Sequence, residues 1–259
     1  MPAGWCCSPP RWPSSCCSAR CSPSASPSGP SAWRPAISSR ASVGLWIAFF
    51  VGTIAAERLE LSRTLRPGEL SRTAFAGLLC LLVIGAALGI DSLSGRWLLG
   101  GALLGLAVWL CRYDVARRVI RRPGASRFFA TGMLAGYVWL AVSGGLLLFG
   151  DDLDRAYDLQ LHTVFLGFVL SMLMAHALII LPAVLGIHLS FSPSLYWPLA
   201  LLHLSLLLRL LGGTVGPDSL RLLSGPVTVA SLAAFVVLVV WTQWRLRRNR
   251  PLPRPLSLP

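Results

Sequence analysis

Between Ala41 and Trp241 the chain alternates long apolar stretches with short polar connections, and seven such stretches can be drawn, over residues 41–56, 74–90, 97–113, 128–149, 159–184, 195–211 and 222–241. A helix crosses the hydrocarbon core of a bilayer with roughly 17–25 predominantly apolar residues, and several of the runs reach that length. The pattern predicts an all-α fold, a polytopic transmembrane helical bundle of about seven spans over residues 41–244, embedded in a lipid bilayer. Pro226 falls near the start of the seventh run, where a helix tolerates proline best.

The flanks read differently. Residues 1–40 are rich in Ser, Pro, Cys and Arg and contain no apolar run. A signal peptide would need an apolar centre of about 7–15 residues, so the segment reads as a disordered tail, or as an out-of-frame reading of a GC-rich gene that has lost a first helix. Residues 245–259 form a basic tail rich in Pro and Arg.

Composition sharpens the membrane reading. The chain is 54% hydrophobic and 13% charged, against about 25% charged in a soluble domain. The formal net charge of +13 comes entirely from arginine, since the chain has no Lys. With a single Asn, Asn249, that bias points to a GC-rich, bacterial coding sequence. The arginines cluster between apolar runs and no nucleic-acid-binding module accompanies them, so the positive-inside rule accounts for them and no nucleic-acid partner is expected. Arg112–Arg127 and the C-terminal tail are then cytoplasmic, as is Glu57–Thr73, while Asp91–Arg96, Asp151–Asp154 and Gly212–Arg221 are external. The expected location is the bacterial cytoplasmic (inner) membrane, multi-pass, with the C-terminus inside. Seven spans then leave the N-terminal arginines on the outer side, a conflict that a lost first helix would remove.

Cysteine carries little. Five of the seven cysteines fall in the first 21 residues, Cys80 and Cys111 lie in or at the end of apolar runs, and no pair has CxxC spacing, so they read as incidental thiols. No phosphate-binding or dinucleotide glycine pattern occurs. Gly85/Gly89, Gly101/Gly105 and Gly132/Gly136 have the small-xxx-small spacing that lets membrane helices approach closely.

The candidate chemistry is histidine. His162 and His176 lie on the fifth run and His203 on the sixth. An ionisable group inside a span is costly and marks a functional site by default, and neutral imidazole is the commonest metal ligand. His162 and His176 are 14 residues apart, which on a regular α-helix places them about 40° from eclipsed and about 21 Å apart along the axis. A symmetric hairpin between the fifth and sixth spans has its midpoint near residue 190 and sets His176 level with His203 in the inner half of the membrane. That pair could bracket a haem iron or take two positions on copper, form an interhelical hydrogen bond, or belong to a proton path. Met172, one turn from His176, offers a thioether suited to Cu(I) or simply fills space. His162 reads as a solvated headgroup-level residue or as a second centre, and His188 as a loop residue. Arg209 either snorkels to the interface or balances a haem propionate or bound anion. Glu57 and Arg58, at the inner end of the first span, either pair with each other's helical neighbours or form an ordinary solvated interface.

The segment ERLELSR at Glu57–Arg63, the hairpin LHTVFLGFVLSMLMAHALIILPAVLG and the following LALLHLSLLLRL together resemble a group of poorly characterised bacterial polytopic membrane proteins. That group is distantly similar to the NnrS-type proteins and to subunit I of the haem–copper oxidases. The resemblance covers about two hundred residues from Val43 onward, and His162, His176 and His203 are the positions that match its pattern. It implies a helical-bundle haem b or copper protein with relevance to nitric oxide or respiration. The HxxxY and following HH of a copper site in such oxidases are absent, so no oxygen or quinol chemistry carries over. Three readings compete: a haem or copper redox component with a His176/His203 site, a transporter or permease whose path those histidines and Arg209 line, and a non-catalytic membrane assembly component. A membrane-protein partner or homo-oligomer is compatible with each.

Overall fold

A computed structural model of the chain describes residues 39–62, 68–150, 155–186 and 191–248; the expected N-terminal tail up to residue 38, His188 and residues 249–259 lie outside the described residues. The elements, in order, are α1 (Ser39–Ser62), α2 (Glu69–Leu88), α3 (Leu93–Tyr113), the short α4 (Ala116–Val119), α5 (Ala125–Phe149), α6 (Ala156–His162), a π-helical segment (Thr163–Leu170), α7 (Ser171–Leu185), a 3-10 turn (Pro193–Leu195), α8 (Tyr196–Thr214) and α9 (Asp218–Arg248). No strand occurs among the described residues. Seven helical stretches are long and apolar enough to cross a membrane, α6, the π segment and most of α7 forming one of them. The fold is the expected all-α bundle.

Each span begins a few residues before its apolar run, and α2 stops two residues short of its run, at Leu88. α1 continues through Glu57 and Glu60 to Ser62, because charge ends an apolar window without ending the backbone hydrogen-bond ladder. α5 is the central helix: α3 packs on one side of it, the π segment and α7 on another, and α4 against its start. α2 packs on α3, α1 on α2, and α9 on α8. The core between α1, α2, α3 and α5 is built from Ile47, Val51, Leu82, Leu99, Leu103, Leu106 and Leu140, all shielded from solvent. The outward positions of α9, including Val229, Val236, Val237 and Val240, are exposed, as lipid-facing side chains must be. Arg245 and Arg248 stack on Trp241 and Trp244 one turn earlier, at 3.8 and 4.2 Å, the pairing of basic and aromatic groups expected where a span meets the headgroups.

In lipid, burial of apolar surface does not drive helices together, so close packing and interhelical hydrogen bonds carry the association. Gly132 and Gly136 leave the space on α5 into which Ser171, Ala175, Phe168 and Met172 fit. The hydroxyl of Ser171 donates to the Gly132 carbonyl at 2.8 Å. The indole of Trp109 on α3 donates to the backbone and hydroxyl oxygens of Ser71 on α2, both at 3.0 Å. Thr228 and Ser231 of α9 donate to Ser205 and to the Pro198 carbonyl on α8, at 2.9 and 2.7 Å.

The π segment has a local cause. At its start the Thr163 hydroxyl donates to the carbonyls of Leu159 and Gln160, at 2.9 and 3.1 Å, satisfying acceptors where the helical ladder changes pitch. In its middle Gly167 lies against the ring of Trp139, where a Cβ would come within 2.6 Å of the indole side chain. The wide backbone and the bulky indole therefore fit each other only at a glycine.

Candidate functional site

His176 has the two properties a ligating imidazole needs. Its Nδ1 is 2.6 Å from the Met172 carbonyl; a carbonyl can only accept, so Nδ1 carries the proton. Its Nε2 therefore holds the lone pair, and that atom is buried without a hydrogen-bond partner. The ring is held edge-to-face on Phe129 of α5, centroids 4.8 Å apart. It lines a cavity of about 310 Å³ between α1 and α7 with Phe50, Ile54, Glu57, Val169, Met172, Leu173 and Ile180. The cavity opens past Leu173 and Ile180, both exposed, on the lipid-facing side. Its lining is apolar except for Glu57, which reaches it from the C-terminal part of α1.

His203 is the chemical complement. The indole N–H of Trp139 donates to its Nδ1 at 3.0 Å. Tryptophan can only donate, so Nδ1 holds the lone pair and the proton sits on Nε2, which is buried without a partner. An N–H cannot ligate a metal. Of the readings open to the pair, the interhelical hydrogen bond is the one His203 makes, and it makes it with Trp139 rather than with His176.

The two histidines are not level. Phe128 and Phe129 are neighbours on α5; Phe128 packs on Tyr196 at 5.3 Å between ring centroids, and Phe129 packs on His176. The first residue of α8 thus stands at the depth of His176, and His203 lies seven residues farther on, about 10 Å along the helix. The symmetric hairpin expected for the fifth and sixth spans fails because α7 runs on to Leu185 past the point where α8 begins. A single ion or iron shared by His176 and His203 does not follow from this geometry. Among the described residues no group of three or more His, Cys, Asp and Glu side chains stands together as a metal site.

His162 and Arg209 meet at the opposite end of the bundle. Arg209 of α8 grips Asp158 with Nη2 and Nε, at 2.8 and 3.1 Å to its two carboxylate oxygens, and donates from Nη1 to Ser224 at 3.0 Å. This two-pronged geometry is the strong form of an arginine–carboxylate pair. Arg209 neither snorkels free nor waits for an anion, since its guanidinium is engaged within the bundle. His162 sits one turn after Asp158, with Nδ1 2.7 Å from the Asp158 carbonyl and 3.4 Å from its carboxylate. His162 sits beside Asp158, whose carboxylate meets Arg209 of α8, whereas His176 packs on Phe129 of α5 and lines the cavity shared with α1. The π segment between them changes the angular step per residue, so a regular α-helical spacing does not describe the pair.

The burial of two charged residues, and the role of Trp139, escape a reading of the sequence. Arg58, expected at a solvated interface, is 6% exposed; Asp114, which follows α3, is 4% exposed. Asp114 accepts from the backbone N–H of Ala116 at 2.6 Å and from the Tyr137 hydroxyl at 2.9 Å, which starts α4 and ties it to α5. Arg58 lies 4.0 Å from Glu57, and its Nε has no hydrogen-bond partner. The only signal for Asp114 is an acid directly after an apolar run, and Trp139 gives none, because its role depends on which helix it faces.

Over residues 22–244 the chain matches a family model described as "Domain of unknown function (DUF8744)". No curated protein and no solved structure matches it.

Proposed function

The chain belongs to the DUF8744 family, and from that premise and the geometry at His176 we propose that it is an integral membrane protein holding one b-type haem through His176 alone. The observation that carries this reading is the state of the His176 ring, which lines the cavity with its Nδ1–H fixed on the Met172 carbonyl and its Nε2 buried without a partner. A carbonyl on the far nitrogen of a ligating histidine sets its tautomer and raises the basicity of the near one. A haem iron brings four nitrogens of its own and asks one donor of the protein, whereas a bare copper ion would need donors beyond His176, Met172 and Glu57. The donor set therefore fits haem better than copper.

Held through His176, haem would supply one-electron redox and diatomic-ligand chemistry. The chain's own residues do the rest. Met172 and Phe129 fix the imidazole plane, Phe50 and Ile54 keep the cavity apolar, and Glu57 places a carboxylate at its rim. The arginine-rich segments Arg112–Arg127 and Arg245–Arg254 favour an inner-membrane topology with the C-terminus in the cytoplasm, which puts His176 in the inner half of the bilayer.

The test is an absorption spectrum of the detergent-purified chain expressed with haem supply, reduced minus oxidised and with carbon monoxide. A Soret band that shifts with carbon monoxide is expected. A colourless protein would overturn the reading and favour a transporter, for which Arg58 and Asp114, charged groups buried among the spans, are the supporting observation.

A further inference from the structure

The last turns of α9 run past the packed part of the bundle. Phe235 belongs to the buried cluster that includes Leu195, just before α8, and Phe128, near the start of α5, and Leu238 and Val239 pack against that cluster. The helix then continues to Arg248, about 13 Å beyond Val239. On this extension Trp241, Trp244, Arg245 and Arg248 fall within one arc of about 100°, and all four are exposed. Each guanidinium stacks on the indole four residues before it. Among the described residues neither arginine forms an ion pair, and the chain has no Asp or Glu after Asp218. Positive charge that only fixes topology needs no such cover. Arg117, Arg118, Arg121 and Arg122 of the α4 segment are exposed too, and none of them stacks on a ring among the described residues. A stacked guanidinium has its plane held and one face shielded from water, while its edge N–H groups stay free to donate. That edge matches a pair of phosphate oxygens. Toward the bilayer centre on the same side, Val237 and Val240 are exposed and offer an apolar track for an acyl chain. Net charge decides the headgroup: a phosphocholine brings its own cation into a region already positive, whereas a headgroup with one net negative charge does not.

We propose that this stripe of α9 binds an anionic phospholipid of the adjoining leaflet, of the phosphatidylglycerol class, its phosphodiester accepting from Arg245 and Arg248 and an acyl chain lying along Val237 and Val240. The site does not depend on the haem reading, since it shares no residue with the cavity at His176.

Native mass spectrometry of the full chain in detergent tests it, with phosphatidylglycerol, phosphatidylcholine and glycerol phosphate as probes. The first phosphatidylglycerol is expected to bind about twentyfold tighter than phosphatidylcholine, each arginine beside an anionic headgroup contributing about fivefold. Arg245→Gln with Arg248→Gln should abolish that preference and leave phosphatidylcholine binding unchanged. Arg117→Gln with Arg118→Gln removes the same charge from unstacked arginines and should leave the preference intact. Trp241→Leu with Trp244→Leu keeps both charges but removes the stacks, and should weaken phosphatidylglycerol by about twofold or more. All these positions are exposed, so the variants should fold, with helical circular dichroism equal to the parent's. Equal binding of the two lipids, equal loss in both arginine pairs, or no effect of the tryptophan pair would overturn the proposal and leave a diffuse positive surface. Glycerol phosphate bound as tightly as the lipid would overturn it in favour of a soluble ligand.

Discussion

The indole N–H of Trp139 donates to Nδ1 of His203 at 3.0 Å, and this contact makes His203 the opposite of His176. One ring presents a buried N–H and the other a buried lone pair, although both read in the sequence as a lone histidine in an apolar run. The tautomers are set by what each Nδ1 meets, an indole donor in one case and a carbonyl acceptor in the other.

His176→Ala should therefore abolish haem binding, while His203→Ala and His162→Ala should leave the haem-to-protein ratio of the purified chain unchanged. Pyridine haemochrome analysis of the three variants checks this. Equal loss in His176→Ala and His203→Ala, both still folded, would restore a shared site.

Replacing Trp139 by Phe keeps an aromatic ring beside Gly167 but leaves His203 Nδ1 without its donor. A buried group left unmatched costs about 1–3 kcal/mol, and unfolding in mixed micelles should show a loss of that size. Adding His203→Leu removes the orphaned acceptor, so the double variant should be more stable than the sum of the single losses. Strict additivity would mean that the hydrogen bond contributes nothing.

The same logic applies at Asp114. Tyr137→Phe preserves the packing of the ring and deletes only the 2.9 Å hydrogen bond to the carboxylate. A destabilisation of about 1–3 kcal/mol is expected. Asp114→Ala, which also removes the acceptor for the Ala116 N–H, should cost more. A Tyr137→Phe variant as stable as the parent would refute the account.

Asp158 and Arg209 form an ion pair that is neither exposed nor deeply buried, their side chains being 32% and 16% exposed. Breaking such a pair from one side should cost about 1–3 kcal/mol, between the values for surface and buried pairs. Arg209→Met is expected to fall in that range, and Asp158→Asn in the same background should recover part of the loss. Thermal unfolding of the single and double variants, at low and high salt, reads both effects.

The bundle was largely legible in the sequence because an apolar run of spanning length has few other uses. The span ends were less so: Arg58 and Glu57 interrupt hydropathy but not the helix, and Arg58 is buried because its side of α1 faces the bundle. The histidines stand out in the sequence by their cost in an apolar run, but the groups they bond to do not. The depth of His203 depends on Phe128 packing on Tyr196, and its proton on Trp139, two contacts between distant segments that no periodicity encodes. Arg209 stood out as a charge in a span, but its partner Asp158 lies 51 residues earlier in a stretch that reads as an external acidic connection.

The π segment buffers the phase of the fifth span. A π turn closes one residue later than an α turn, so the segment carries surplus chain that an ordinary helix would not accommodate. Deleting one residue within Thr163–Leu170 would let that stretch relax to α-helix with the halves on either side keeping nearly their present phase, whereas the same deletion in a regular α-helical stretch would turn one half by about 100° relative to the other. Asp158 would keep its arginine and His176 its place beside the cavity between α1 and α7. A single-codon deletion there would thus be tolerated where one a few residues farther along the helix would uncouple its two ends.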